Sequence, residues 1–462
     1  MKLRSLASPL LWPLLAAALL SCGPNADTRL AGSWRSAPDN GWIRVRLQGN
    51  PARIGFQHGY LLAPEIADAL AVMRLALPHD TKRDWTFLRG VAEKILWPRV
   101  DEEYRQELQG MAEGLAARGV AADITDLVVL NANLELSYYT DVLDKKKTSS
   151  APERCSAFVA TGSWTRDGRA VIAHNNWSGY LEGARWNIIF DLRPERGHRI
   201  LMDGMPGLIH SGDDFGINDA GIVITETTIS GFRGFDTQGI PEFVRARKAM
   251  QYAGSVDDFA RIMKEGNNGG YANAWLVADV GRNEIAQLEL GLKHVTFERT
   301  KDGIFVGANF PINPNLIAEE TEFKVDNLGS SANARRTRWQ QLIFEFKGRI
   351  DVAAGKRFLA DHYDAFDKRA DAPSERTLCG HVELSPRGMK PWKDEFGPAG
   401  VVQAKITDAA MAVRMELEAA IGHPCGLDFH AGAHLKNHPA YAWQKTLLRD
   451  LPSGPWTHFA AP

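Results

Sequence analysis

The sequence predicts an α+β fold in which stacked β-sheets lie under helical outer layers, and three observations carry that expectation. Apolar residues recur at helical spacing ahead of Cys155, strand-like runs begin directly after it, and strands, helices and strands again then follow in blocks. The 462 residues are 44% hydrophobic and 24% charged, as in ordinary globular proteins, and 13 Trp with 20 Phe supply aromatic bulk for a large core. A formal charge of −2 gives no basis for nucleic acid or an anionic membrane surface as partner.

The chain opens with Lys2 and Arg4 ahead of an apolar run over 10–20, which is too short for a permanent membrane span. Residues 1–22 are therefore expected to be a targeting segment. Its end, Leu19-Leu20-Ser21-Cys22-Gly23, resembles a bacterial lipoprotein signal with Cys22 as the lipidated residue, and a plain secretory signal is the alternative. The mature protein is expected in the bacterial cell envelope, outside the cytoplasm, touching the membrane only through Cys22.

Residues 23–154 are expected to form a helical pro-segment. It contains a strand over 45–49 and a lead-in at Gly55-Phe56-Gln57-His58-Gly59. One helix then carries Leu62, Ile66, Leu70 and Met73, and a second carries Tyr104, Leu108, Met111 and Leu115. His58 is expected to serve as a structural hydrogen bonder. Lys145-Lys146-Lys147-Thr148-Ser149-Ser150-Ala151-Pro152-Glu153-Arg154 then breaks all periodicity with charges, small polar residues and Pro, the composition of an exposed linker that tolerates cleavage. Because it ends on Cys155, the boundary falls between Arg154 and Cys155, and 155–462 is expected to be the catalytic domain.

Beyond the boundary, strands over 156–160 and 170–174 flank the turn signal Arg166-Asp167-Gly168, with further strands over 186–192, 199–202 and 221–225. Helices are expected over 242–253 and 256–264, strands over 274–279, 284–290, 293–299 and 304–308, and a helix over 334–346. No internal repeat is visible.

Chemistry points to Cys155. In an oxidising compartment Cys379 and Cys425 share the C-terminal third, and their pairing as a disulfide is left open, whereas Cys155 stands apart at the start of an apolar strand. A cysteine freed at a chain terminus needs no separate histidine, because its own α-amine, with a reference pKa of about 7.7–8.0, can take the thiol proton. The oxyanion formed on attack then needs donors placed beforehand. His430, His434 and His438 have helical metal-ligand spacing, but Gly432 and Pro439 weaken that helix and no acidic partner completes the pattern, so neither metal nor cofactor is expected. The chain has no G-x-S-x-G elbow and no phosphate-binding glycine loop.

Six segments, in order, resemble the phospholipase B-like family of N-terminal-nucleophile (Ntn) hydrolases, which is related to the penicillin-forming acyltransferases. They are Cys155-Ser156-Ala157, His174-Asn175-Asn176-Trp177-Ser178, Ser211-Gly212-Asp213-Asp214-Phe215, Glu226-Thr227-Thr228-Ile229, Asn268-Gly269-Gly270-Tyr271-Ala272-Asn273-Ala274-Trp275 and Arg335-Arg336. The resemblance implies a four-layer αββα sandwich, cleavage just before Cys155, and two fragments that stay associated. It implies catalytic roles for Cys155, His174, Asn176, Thr227, Asn273 and Arg336, with Asn273 as the oxyanion donor. Asn175, Trp177 and Arg335 are implied at the substrate, and Arg335 or Arg336 would fix charge near the nucleophile. The implied substrate is a small N-acyl amide or lipid ester; transfer to an amine acceptor, or non-catalytic lipid binding in the envelope on the same scaffold, are the alternatives. Arg154 is not the small residue of related processing junctions, so a host protease is the alternative to self-cleavage.

Overall fold

The computed structural model describes residues 27–146, 155–212 and 215–461. Cys22, Arg154 and the Asp213-Asp214 pair lie outside the described residues. A nine-stranded sheet runs in the order Trp34–Arg35, Ile43–Gly49, Ile188–Pro194, Ile200–Gly204, Gly216–Asn218, Ile222–Thr228, Asn273–Asp279, Glu284–Leu290 and Val295–Thr300. A six-stranded sheet runs Gly303–Gly307, Ser156–Thr161, Val171–Gly179, Ala399–Asp408, Glu416–Ile421 and Thr457–Ala460. Pairing is antiparallel, except that Ile43–Gly49 runs parallel to Ile188–Pro194.

Successive side chains of a strand point to opposite faces, and here both faces are covered. On Ser156–Thr161, Ala157 and Val159 enter the core between the sheets with Leu201, Val223 and Leu276. Phe158 and Ala160 face outward, packing with Trp339 of the helix Ser331–Phe346 and Phe358 of Val352–Leu359. The larger sheet turns Met202, Ile224 and Val277 outward onto the helices Ala63–Thr81, Glu102–Ala117, Glu242–Tyr252 and Val256–Lys264. The order is helices, sheet, sheet, helices. This is the expected αββα sandwich, and it explains why central strands such as Val171–Gly179 and Ile222–Thr228 are buried along their whole length rather than at alternate positions.

The segment ahead of Cys155 is not a separately packed unit. Its strand Ile43–Gly49 sits inside the larger sheet, and Ile66, Leu70, Leu108 and Val128 share one core with Ile188, Phe190 and Met202. The Gly55–Gly59 stretch, read as a lead-in, lies inside a helix, Pro51–Leu61. That helix crosses Glu102–Ala117 closely. A Cβ on Gly55 would stand 1.8 Å from the Glu107 carbonyl oxygen, and one on Gly110 2.1 Å from that of Ala52. Glycine is retained there for backbone contact despite its cost of roughly 1 kcal/mol within a helix.

Three strands of the smaller sheet, Ala399–Asp408, Glu416–Ile421 and Thr457–Ala460, had no counterpart in the sequence reading. None of the helices among the described residues is long and apolar enough to cross a membrane. Of the three histidines at metal-ligand spacing, only His434 lies within the helix Ala431–Asn437, its ring tilted against that of the C-cap His438 at 4.7 Å, while the N-cap His430 lies 3.9 Å from Asp450. His58 is buried and its Nε2 accepts the Gly207 N–H at 3.0 Å; burial, aided by the Arg247 charge, lowers its pKa to about 3.

Candidate functional site

Cys155 stands directly ahead of the strand Ser156–Thr161 of the smaller sheet, fully buried, with φ at +82°. A non-glycine residue in that region stores about 1–3 kcal/mol of backbone strain. In the hairpin, Ala157 pairs with His174 and Ser156 with Asn175. Because His174 is two residues from Ile172, which lies in the inter-sheet core, it faces the other sheet. The Cys155 thiol meets it there. Cys155 Sγ, a His174 ring nitrogen and a Glu226 carboxylate oxygen lie within 4.8 Å of one another, and the thiol donates a long hydrogen bond to Glu226 Oε1 at 3.9 Å. Glu226 Oε1 also accepts from Tyr271 Oη at 2.8 Å.

The strands that carry this cluster and their neighbours also hold buried polar atoms without hydrogen-bond partners among the described residues. Asn273, which opens its strand opposite Thr228, has neither Nδ2 nor Oδ1 bonded. The Asn176 Nδ2 and the Thr227 hydroxyl are likewise unbonded, and both residues are at most 1% exposed. Each buried donor left without an acceptor costs about 1–3 kcal/mol. Gly307 leaves room for Thr227, since a Cβ there would lie 2.4 Å from the Thr227 Oγ1.

The remaining expectations separate by strand face and helix face. Asn175 and Trp177 alternate with His174 and Asn176, so they point away from the thiol. The Asn175 amide donates to the carbonyls of Leu359 at 2.8 Å and Leu378 at 2.9 Å, and Trp177 packs with Cys379 and Val382. Both side chains are built into the outer layer, on the opposite face of the strand from His174.

The sequence left open which of the two arginines lies near the nucleophile, and the structure places Arg335 there. Arg335 is fully buried, and its Nη1 donates to the Cys155 carbonyl at 2.6 Å and to Ser156 Oγ at 3.2 Å. Its Nη2 reaches Asn309 Oδ1 at 2.7 Å, and its guanidinium lies 4.3 Å from the Trp177 ring centroid. Arg336, one position along the helix, instead stacks on Phe310 at 4.7 Å. Arg335 holds the nucleophile's backbone from behind, and Arg336 is turned elsewhere. Glu226 and Tyr271 were assigned no role from the sequence, although both lie inside segments that carried the resemblance.

Residues 96–307 match the family model described as Phospholipase B. A Caenorhabditis elegans protein named as phospholipase B-like 1 is 23% identical over 363 residues, covering 72% of this chain and 61% of its own length. The acyl-coenzyme A:6-aminopenicillanic-acid-acyltransferase 40 kDa form of Emericella nidulans is 22% identical over 239 residues, covering 48% of this chain and 57% of that one. A solved structure of a mutant conjugated bile acid hydrolase from Clostridium perfringens aligns over 57% of this chain and 88% of its own, at 9% identity and a TM-score of 0.33. The matched portion thus spans less than two thirds of both relatives.

Proposed function

The chain is a relative of the phospholipase B-like proteins, and from that premise we propose that it is a self-processing cysteine hydrolase of the Ntn type, acting on the amide or ester bond of an N-acyl or lipid substrate. The observation that carries this reading is the buried Cys155–His174–Glu226 cluster; Asn273, whose buried amide has no partner among the described residues, opens the strand paired with the one that carries Glu226. In the uncut chain, Cys155 Sγ attacks the carbonyl carbon of Arg154 and the thiol proton passes to Glu226. The C–N bond then breaks, the nitrogen takes a proton to become an amine, and water hydrolyses the thioester. The positive φ of Cys155 supports this step by adding strain at the junction.

In the processed enzyme the new α-amine takes the thiol proton as Sγ attacks the substrate acyl carbon. Asn273 Nδ2 donates to the developing oxyanion, with Thr227 and Asn176 as neighbouring donors. The amine returns its proton to the leaving group, and water releases the acid from the acyl-thioester. Glu226 and His174 hold the amine in place. The two fragments stay together because residues on both sides of the cut share one core. Export, with Cys22 lipidated, places the reaction in the cell envelope.

A second reading replaces water by an acceptor amine, and the likeness to an acyltransferase favours it. The first test is the intact mass of purified protein under denaturing conditions, beside Cys155→Ala. Two wild-type fragments, the second beginning at Cys155, with an uncut mutant, are the expected result. A single uncut wild-type chain would overturn the mechanism. Product analysis with N-acyl amides, lipid esters and added amines then separates hydrolysis from transfer.

A further inference from the structure

A second cluster lies outside the smaller sheet and beyond the residues matched by the family model. Cys379 and Cys425 are not joined; their sulfurs lie with ring nitrogens of His362 and His381 so that all four ligand atoms are within 4.8 Å of one another. His381 Nε2 is 3.5 Å from Cys379 Sγ, 3.6 Å from Cys425 Sγ and 3.2 Å from His362 Nε2. A tetrahedral zinc ion, with Zn–S near 2.3 Å and Zn–N near 2.0–2.1 Å, requires sulfur and nitrogen ligands about 3.5 Å apart and two nitrogens about 3.3 Å apart. The three separations agree with a tetrahedron's edges.

The groups behind the histidines point the same way. His381 Nδ1 lies 2.8 Å from Glu383 Oε1, and His362 Nδ1 lies 3.1 Å from Asp371 Oδ1. A carboxylate accepting from Nδ1–H fixes the tautomer and turns the Nε2 lone pair to the opposite side, the usual arrangement behind a metal-bound histidine. Glu383 is itself fixed, since its Oε2 accepts from Tyr180 Oη at 2.6 Å. Two Nε2 lone pairs then face each other at 3.2 Å beside two sulfurs. That arrangement calls for a cation at its centre.

We propose that His362, Cys379, His381 and Cys425 bind one zinc ion in a closed, structural site. Four protein ligands leave no open position for a substrate, and two thiolates with two imidazoles suit zinc over harder cations. The ion ties the irregular segment after the helix Val352–Leu359 to the turn that follows the strand Glu416–Ile421. That segment carries the Leu378 carbonyl bonded to Asn175, and Cys379 packs on Trp177, over which Arg335 stacks while holding the Cys155 carbonyl. The metal thus braces the layer behind the nucleophile without touching it.

The test uses the full chain, purified from zinc-containing medium, washed with a weak chelator and measured for metal content. About one zinc per chain is expected. After exchange, cobalt(II) should show the visible bands of a tetrahedral site and sulfur-to-cobalt charge transfer, which Cys425→Ser should weaken. Asp371 has a side chain 89% exposed, so Asp371→Asn keeps the test available where a ligand variant does not fold. It should lower zinc affinity roughly 10-fold in competition with a chromophoric chelator. Folded wild-type chain without bound metal overturns the proposal. So does an unreduced, denatured chain lighter by the two hydrogens of a Cys379–Cys425 disulfide, or a zinc content unaffected by both substitutions.

Discussion

Cys155 lies against His174 and Glu226 between the two sheets, while Cys379 lies against His381, itself held by Glu383, outside the smaller sheet. The residue types are the same, and their surroundings are opposite. On the strands that carry His174 and Glu226 and the strand beside them, the amides of Asn176 and Asn273 and the hydroxyl of Thr227 are buried with hydrogen-bonding groups unused among the described residues, a state that disfavours the resting protein. Around Cys379 the polar atoms form a closed chain from Tyr180 through Glu383 to His381, with a second carboxylate behind His362. Unused donors suit a ligand that comes and goes, such as a transient oxyanion. Closed coordination suits a permanent occupant.

The strongest break of this comparison is Cys155→Ala. It should abolish both processing and turnover, a loss of at least about 10³-fold in an acyl-hydrolysis assay, while the far-ultraviolet spectrum stays native. Retained turnover would remove Cys155 from the chemistry.

Next in size is acid sensitivity of the fold, read at His58, which belongs to neither site. Its folded pKa of about 3 lies below its ordinary 6.5. The neutral buried ring therefore adds stability that is fully present above about pH 6.5 and is lost progressively as the pH falls towards 3. Down to pH 4 the effect is about 3 kcal/mol. Denaturant midpoints between pH 7 and 4 should fall for the wild type and flatten in His58→Gln. Equal slopes would remove His58 as the cause.

Asn273→Ala should lower kcat about 10²–10³-fold with little change in KM, because the amide is assigned to the oxyanion and not to the bound substrate. A rise in KM alone would reassign Asn273 to substrate binding.

The smallest effect separates the arginines. Arg335→Met strands the Cys155 carbonyl and Asn309 Oδ1, and should destabilise the fold by at least about 2 kcal/mol in equilibrium denaturation. Arg336→Ala removes a ring contact at a partly exposed position and should stay within about 0.5 kcal/mol, with processing intact. Equal effects would erase the distinction drawn between them.

Much of the fold was legible locally. The helix Val256–Lys264 falls where spacing puts it, because burying Val256, Phe259, Ala260 and Met263 on one stripe leaves that period in the sequence. The strands Ala399–Asp408 and Glu416–Ile421 were missed; the first is buried on both faces and carries no alternation to read. At the site, the prominence of Cys155 was legible from a broken linker ending on an isolated cysteine. Strand alternation could have put Asn175 and Trp177 on the far face from His174, but motif adjacency outweighed it. Glu226 left no such signal, because its nearness to Cys155 comes from the stacking of one sheet on the other.

By itself, the sequence determined the fold class and the set of residue types available for the chemistry of Cys155, since composition and periodicity are properties of neighbours along the chain. Tertiary structure alone decided which arginine holds the Cys155 backbone, which asparagines face the thiol, and that His362, Cys379, His381 and Cys425 meet. These relations depend on helix rotation, strand face and the packing of distant segments. A sequence lists their participants without fixing the distances between them.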